Sequence, residues 1–501
     1  MTSGEAAHPG QQAPTTRLWQ RLIVWGLTCR VTAALLLPVA YHNDIMIYCL
    51  QAARMTGLLE AGYFESFFPP GYPAFLALCR LVGGDHAFVV AVLIQQLLCV
   101  LSVSLIVHRL GLLERVGRRG QLFLFFVMAD PVSLTAAQQL SPEILISTLV
   151  VGVWYLASRS PGARAPIRNG IGIGLMMGWG IAIKTVVFVF VPLVLLACFR
   201  PFGAGALRRG WREASAAALL IVAIPAGFVA MNARLMGQAT LTDRTWQHVY
   251  NRVVAADQSF ASEGAVSRQL LAYFDGDRSR VTTTHPTIVR TLKDAGLRFP
   301  EITALLEGAV IEALRERPMH FVVRSLYVPF LDWHRAPKLP SGGNASYPHY
   351  PDLFSPARPQ DTAFLITSPG WNDFVKGAIR LLRGALKHLH LSALLSALAL
   401  VAIPLSARRR DFDLFWLSAA SFCLVALHSL GETFIGRYLL LAYPAIWFSA
   451  RYAALELMDA RESWRLGLGG YATWRRCAMD TRASNAATPS DLPAGSGTRT
   501  R

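Results

Sequence analysis

The chain has 501 residues, 53% of them hydrophobic, and a net charge of +17; its mean hydropathy is +0.37. A soluble protein of this length would divide its apolar residues among two or three cores behind polar faces. Here they form long runs almost free of charge, which excludes that class and points to an all-α polytopic membrane protein. The alternating strands of a membrane barrel are missing, and the basic excess sits in short loops between apolar runs, so no nucleic-acid partner is expected.

In chain order, residues 1–21 read as a cytoplasmic tail before an uncleaved first helix. Spans are expected at roughly 22–40, 87–108, 121–137, 144–158, 169–183, 186–199, 214–231, 385–406, 412–430 and 436–452, about ten in all. The loops 109–119, 159–168, 200–213 and 407–412 are rich in arginine and read as cytoplasmic, whereas 41–69 carries Asp44, Glu60 and Glu65 against Arg54 and reads as external. Parity then forbids a separate crossing at 74–82, which reads as re-entrant or interfacial. It also requires 170–199 to start and end on one side, as two short helices turning near Lys184-Thr185. The organisation is a bundle over 22–231 with a first external loop at 41–86, an external domain at 232–384, further spans over 385–453 and a cytoplasmic, partly disordered tail at 454–501. Within the external domain, Ile302, Leu305, Leu306, Val310, Ile311 and Leu314 predict an amphipathic helix over 300–317; residues 318–333 read as interfacial and 336–373 as loop.

Asp44 is the leading catalytic candidate. It lies just past the first apolar run, where a carboxylate can deprotonate an attacking hydroxyl or simply end a helix. The apolar residues Ile45, Ile47, Leu50 and Met55 after it read as a helix lying on the membrane. Pro69-Pro70-Gly71-Tyr72-Pro73 then fixes a sharp turn. Lys184, a cation within an apolar run, has two readings: contact with a phosphate, or snorkelling at a helix end. Glu143 opens a span, either as a favourable charge at a helix N-terminus or as a substrate contact. Arg437 pairs with a substrate phosphate or with Glu432. Arg30, in mid-span, needs a partner and reads as half of a structural ion pair rather than as a substrate contact. The glycines at 170, 172, 174, 178 and 180 lack a surrounding βαβ unit, which argues for close helix packing rather than a nucleotide loop. The seven cysteines and twelve histidines show no metal-binding spacing, so no metal and no cofactor are expected. Tyr347, His349 and Tyr350 read as aromatic loop anchors or sugar-stacking groups.

Asp44, Tyr48, Ala52, Gly62-Tyr63-Phe64 and Pro69-Pro70-Gly71-Tyr72-Pro73-Ala74-Phe75-Leu76 together resemble the first external loop of GT-C membrane glycosyltransferases. The similarity is to the group holding protein O-mannosyltransferases and lipid A aminoarabinose transferases. Ser141-Pro142-Glu143, Lys184, the stretch through Leu314, Arg317, Pro318 and Trp333, and Gly431-Glu432-Thr433 before Arg437-Tyr438 add to it. The resemblance implies an enzyme in the inner membrane of a bacterium that moves one sugar from a polyprenyl-phosphate donor to a lipid, glycan or protein acceptor on the external face. Asp44 would take the catalytic place, with Lys184, Glu143, Arg437 and Tyr72 as substrate-binding residues. Where that group often carries paired acids, this chain has Asn43-Asp44, which leaves a lone base and argues against a bound metal. The rival expectation is a transporter or flippase of lipid-linked precursors, which the lack of an internal repeat disfavours.

Overall fold

The computed structural model describes residues 12–41, 44–59, 68–115, 118–158, 166–199, 206–236, 239–242, 244–283, 285–324, 354–356, 365, 368–388, 391–409, 411, 413–419, 445–446 and 448–455. The chain divides into units at 1–450 and 451–501; of the second, only residues 451–455 are described. The described residues of the first unit are almost wholly helical. The helices are α1 (Gln12–Leu36), α2 (Ile45–Met55), α3 (Gly71–Gly83), α4 (Ala87–Arg109), α5 (Leu112–Arg115), α6 (Arg118–Met128), α7 (Pro131–Ala137), α8 (Glu143–Ala157), α9 (Pro166–Ile183), α10 (Val191–Cys198) and α11 (Ala206–Met236). After them come α12 (Thr245–Tyr250), α13 (Ala265–Ala272), α14 (Arg278–Val281), α15 (His285–Asp294), α16 (Phe299–Glu316), α17 (Pro369–His388) and α18 (Leu391–Arg409). Two short strands, β1 (Ala40–Tyr41) and β2 (Gln139–Leu140), pair in parallel.

Three helical stretches, Gly71–Arg109, Gly120–Ala137 and Gly210–Arg234, are long and apolar enough to cross a membrane. The first doubles back on itself. Gly84, at φ +53°, opens a single 3₁₀ turn, and the Tyr72 hydroxyl donates to Gln95 Oε1 at 3.0 Å. In a straight helix those residues would stand roughly 34 Å apart. Thus α3 returns along α4, and the 23 residues of α4 are the apolar length that matters. The Arg80–Asp85 ion pair, at 2.7 Å, closes the turn.

The expected single helix over 121–137 is two helices. Residues preceding proline avoid the helical region, and Asp130 is extended, with ψ 119°. Its carboxylate caps α7 instead, accepting from Ser133 N at 2.8 Å and Val132 N at 3.4 Å. At the expected span 385–406, the helix α18 begins at Leu391 because α17 occupies the residues up to His388, and its apolar part, Ala397–Arg408, is shorter than a span; the start of α17 also shortens the expected loop at 336–373. The expected spans at 412–430 and 436–452 lie largely outside the described residues. Nor does α2 lie on a surface. Ile45, Tyr48, Cys49, Ala52 and Ala53 are buried in the main core, while Ile47 and Met55 pack at its edge. The apolar residues at 45, 48, 49, 52 and 53 follow the i, i+3, i+4, i+7, i+8 spacing of a core-facing helix.

Glycines set the closest helix contact. A Cβ on Gly174 or Gly178 would stand 2.7 Å from the carbonyl oxygen of Ala217 or Leu220. With Gly170 they form a four-residue-spaced stripe that lets the backbones of α9 and α11 meet.

Residues 245–316 build a separate core. Tyr250, Val254, Phe260, Phe274, Ile288, Leu292, Ile302, Leu306 and Val310 are buried together. The expected amphipathic helix is its centre, as α16. Glu312 joins α16 to α13 by accepting from Val266 N at 3.0 Å and Ser267 N at 2.8 Å, two of the amides left open at a helix start.

Candidate functional site

The strand pair aligns the two carboxylate-bearing turns. Tyr41 is in register with Leu140. Three residues beyond each partner come Asp44, directly before α2, and Glu143, the first residue of α8. Parallel pairing sends both chains out at the same end, so two helices begin there beside two acids, which the helix dipole favours. Asp44 is half-buried and its side chain makes no capping bond to α2. A capping role therefore does not account for it.

The proline-rich turn supports this end from below. Pro69 and Pro70 lead into α3, and Gly71 lies against α9 so closely that a Cβ would be 2.6 Å from Ala182 C and Ile183 N. Only glycine allows that approach. It fixes the start of α3 beside the residue that follows Ile183, which is Lys184. Tyr72 is fully buried. Its ring stands 5.0 Å from Tyr48 and 5.6 Å from Phe75, and its hydroxyl is donated to Gln95. Tyr72 is thus placed inside the core, where it locks α2, α3 and α4 rather than facing a cleft.

Lys184 breaks the helical run. Its backbone is extended, at φ −152° and ψ 114°, between α9 and the 3₁₀ segment Thr185–Phe190. The break turns its ammonium towards Glu143: Nζ lies 3.5 Å from Oε1. Glu143 is 1% exposed, and a carboxylate so deep needs a cation and a helix N-terminus nearby. Three expected site residues therefore lie together at one end of the α3–α8–α9 group, Glu143 and Lys184 in direct contact and Tyr72 through its neighbour Gly71, while strand register places Asp44 three residues past β1 as Glu143 is past β2. Arg437, Tyr347, His349 and Tyr350 lie outside the described residues.

A polar network beneath this end was missed in the sequence. Gln95 Nε2 donates to Ala137 O and Gln139 O, both at 2.9 Å, and so holds β2 from α4. Gln138 donates to Ala33 O and Leu37 O at 2.7 and 2.9 Å, which holds β1's approach. Gln51 exchanges two hydrogen bonds with the backbone of Phe68. The available signal was the Gln95-Gln96 pair inside an apolar run: amides there must find partners. The ion pair expected of Arg30 is replaced, among the described residues, by neutral acceptors. The guanidinium donates to Met128 O at 3.0 Å, Gln96 Oε1 at 3.1 Å and Ser133 Oγ at 2.6 Å. Its planar fork serves three groups from two helices, α4 and α7, and from the end of α6.

Further along α8, an apolar cavity of ≈ 230 Å³ lies between Trp154, Met177, Phe190, Val194, Phe415 and Trp416. Compared with protein-family profiles, with characterised proteins and with solved structures, the chain matches none.

Proposed function

We propose that the protein is a GT-C-type membrane glycosyltransferase with about ten spans. In this reading it takes a sugar from a polyprenyl-phosphate donor and transfers it to an acceptor on the external face of a bacterial inner membrane. The observation that carries the reading is the Lys184–Glu143 pair at 3.5 Å, seated where the register of β1 and β2 also delivers Asp44. A general base and a cation at one end of an apolar helical group are what transfer from a lipid phosphate requires.

The reaction follows from those roles. The Asp44 carboxylate takes the proton of the acceptor hydroxyl as its oxygen bonds to the anomeric carbon. The bond from that carbon to the phosphate oxygen breaks on the opposite side, which inverts the centre. The electron pair leaves with the phosphate, and Lys184 stabilises the charge that develops there. Glu143 holds Lys184 in place, and Tyr72 sets the start of α3. Arg437 supplies a second cation. The apolar cavity beside Trp154 and Phe190 suits an isoprenoid chain.

The interrupted helix at Lys184 also fits a transporter or flippase, in which broken helices carry charged residues to a central site. Mass spectrometry of envelope glycans and lipid-linked sugars, in cells with and without the protein, separates the two. Transfer is supported if loss of the protein removes one sugar from a defined acceptor and the lipid-phosphate sugar accumulates on the external face. Accumulation confined to the cytoplasmic face would favour the flippase, and unchanged glycans and lipids would reject both.

A further inference from the structure

Arg244 is fixed in place with no acid to answer its charge. Asn232 Nδ2 donates to Thr240 O at 2.8 Å and to Leu241 O at 3.3 Å, which folds the chain back on the end of α11. Leu241 packs at the edge of the main core. The backbone N–H of Arg244 then donates to Thr242 Oγ1 at 3.1 Å, directly before α12. This brings the guanidinium over Phe68, with Cζ 4.9 Å from the ring centroid. A ring attracts a cation but does not neutralise it. Among the described residues the Arg244 side chain forms no ion pair, and its buried Nε has no hydrogen-bond acceptor. Other inward-turned arginines are served: Arg30 by three neutral acceptors, Arg80 by Asp85, Arg109 by Asp413 and Arg252 by Asp257. A buried charged donor left open is costly, so this one calls for an acceptor from outside the chain.

Phe68 ties Arg244 to the candidate site. Its ring lies 5.1 Å from that of Tyr48, whose backbone N–H donates to Asp44 O at 3.2 Å, one turn earlier on the chain. In the other direction, Pro69 and Pro70 lead to Gly71, which lies against Ile183, the neighbour of Lys184. The charges at this end favour a further cation. Asp44, Glu143 and Lys184 together carry one net negative charge, which repels a phosphodiester. When the sugar departs, that phosphate gains a second negative charge. A site for such a reaction needs a cation that no acid has already cancelled. The planar fork of arginine can meet two phosphate oxygens at once.

We propose that Arg244 binds the phosphate of the polyprenyl-phosphate carrier and supplies the uncompensated positive charge that the Lys184–Glu143 pair lacks. This rests on the reading of the donor as a lipid-linked phosphate, and the test separates the residue from that reading.

The test is thermal unfolding of the full-length protein in detergent, titrated with undecaprenyl phosphate, with phosphatidylglycerol and inorganic phosphate as separate arms. Undecaprenyl phosphate should raise the melting temperature of the native protein, because a ligand of the folded state stabilises it. The other two should not do so at the same concentration. Without ligand, Arg244→Gln should melt with the native protein, since no acid loses its partner. It should need about 10- to 100-fold more carrier for the same rise. Arg244→Lys should fall between, since it keeps the charge without the fork. Arg290→Gln, on the exposed side of α15, should respond like the native protein. An unchanged response to the carrier in either Arg244 variant overturns the assignment, whether or not that variant melts earlier by itself. An equal rise of the native protein with phosphatidylglycerol or inorganic phosphate overturns the choice of ligand. No response of the native protein to undecaprenyl phosphate would overturn the lipid-phosphate reading itself.

Discussion

Lys184 Nζ lies 3.5 Å from Glu143 Oε1, joining the break after α9 to the first turn of α8. Removing one member of a buried pair leaves the other uncompensated, at a cost of about 3–5 kcal/mol, whereas removing both costs far less. Lys184→Met and Glu143→Gln should therefore each destabilise the protein, and the double variant should lose clearly less than their sum. Thermal unfolding in detergent, run as a double-mutant cycle, measures this; strict additivity would show that the two groups do not interact.

The α9–α11 contact makes a sharper packing prediction. Gly174→Ala and Gly178→Ala force a methyl against the carbonyls of Ala217 and Leu220. Each should cost about 1–3 kcal/mol, as overpacking does. Gly227, also in α11, has open space where a Cβ would be. There an alanine should be neutral or stabilise by about 0.5–1 kcal/mol, since it reduces the freedom of the unfolded chain. Unfolding midpoints of the three variants check the contrast.

Much of this was legible in the sequence, and what was not has definable causes. The amphipathic face of α16 follows from local residue types, the glycine stripe from the lack of a surrounding βαβ unit, and the break at Lys184 from the parity that the basic loops impose. The burial of α2 was hidden because its apolar residues fit both a surface stripe and a core face; the choice is made by Phe68, Tyr72 and the rest of the core around it. The break at Asp130-Pro131 was hidden by the apolar residues on either side, although proline marked it. Glutamines that hold carbonyls in distant segments cannot be paired from one sequence. The pairing of the segment before Asp44 with the segment before Glu143 rests on a two-residue strand pair, too short for any periodicity to reveal.

Glu312 gives a pH signature in the 245–316 helices. Burial raises its pKa, but the amides of Val266 and Ser267 and the Ser267 side chain outweigh that, and the carboxyl sits below its usual range. A carboxylate depressed in the folded state contributes stability above its unfolded pKa, near about 4.3, and loses it as pH falls through the lower folded value. Glu312→Gln should lower the melting temperature at pH 7, and the gap from the native protein should close on acidification below about pH 4. A gap independent of pH would remove the charge from the explanation.

The proposed topology is checked by single cysteines placed in a background without the native ones. Thiol reagents that do not cross membranes should label positions in 250–280 from outside and positions in 109–119 and 200–213 only after the membrane is opened. Labelling of 250–280 solely from the cytoplasmic side would put the Asp44 end on the wrong face for an external acceptor.

The most direct test of the proposed transfer is Asp44→Asn. The amide keeps the shape but is a very weak base, and general-base contributions are typically about 10²–10⁴-fold. The measurement is restoration of the missing glycan sugar in cells lacking the native protein, with expression and melting temperature of the variant matched to the native protein. The expected result is that Asp44→Asn folds normally yet restores almost none of the sugar, while the lipid-linked sugar accumulates as in the deletion. Full restoration by Asp44→Asn would contradict the assignment of Asp44 as the base.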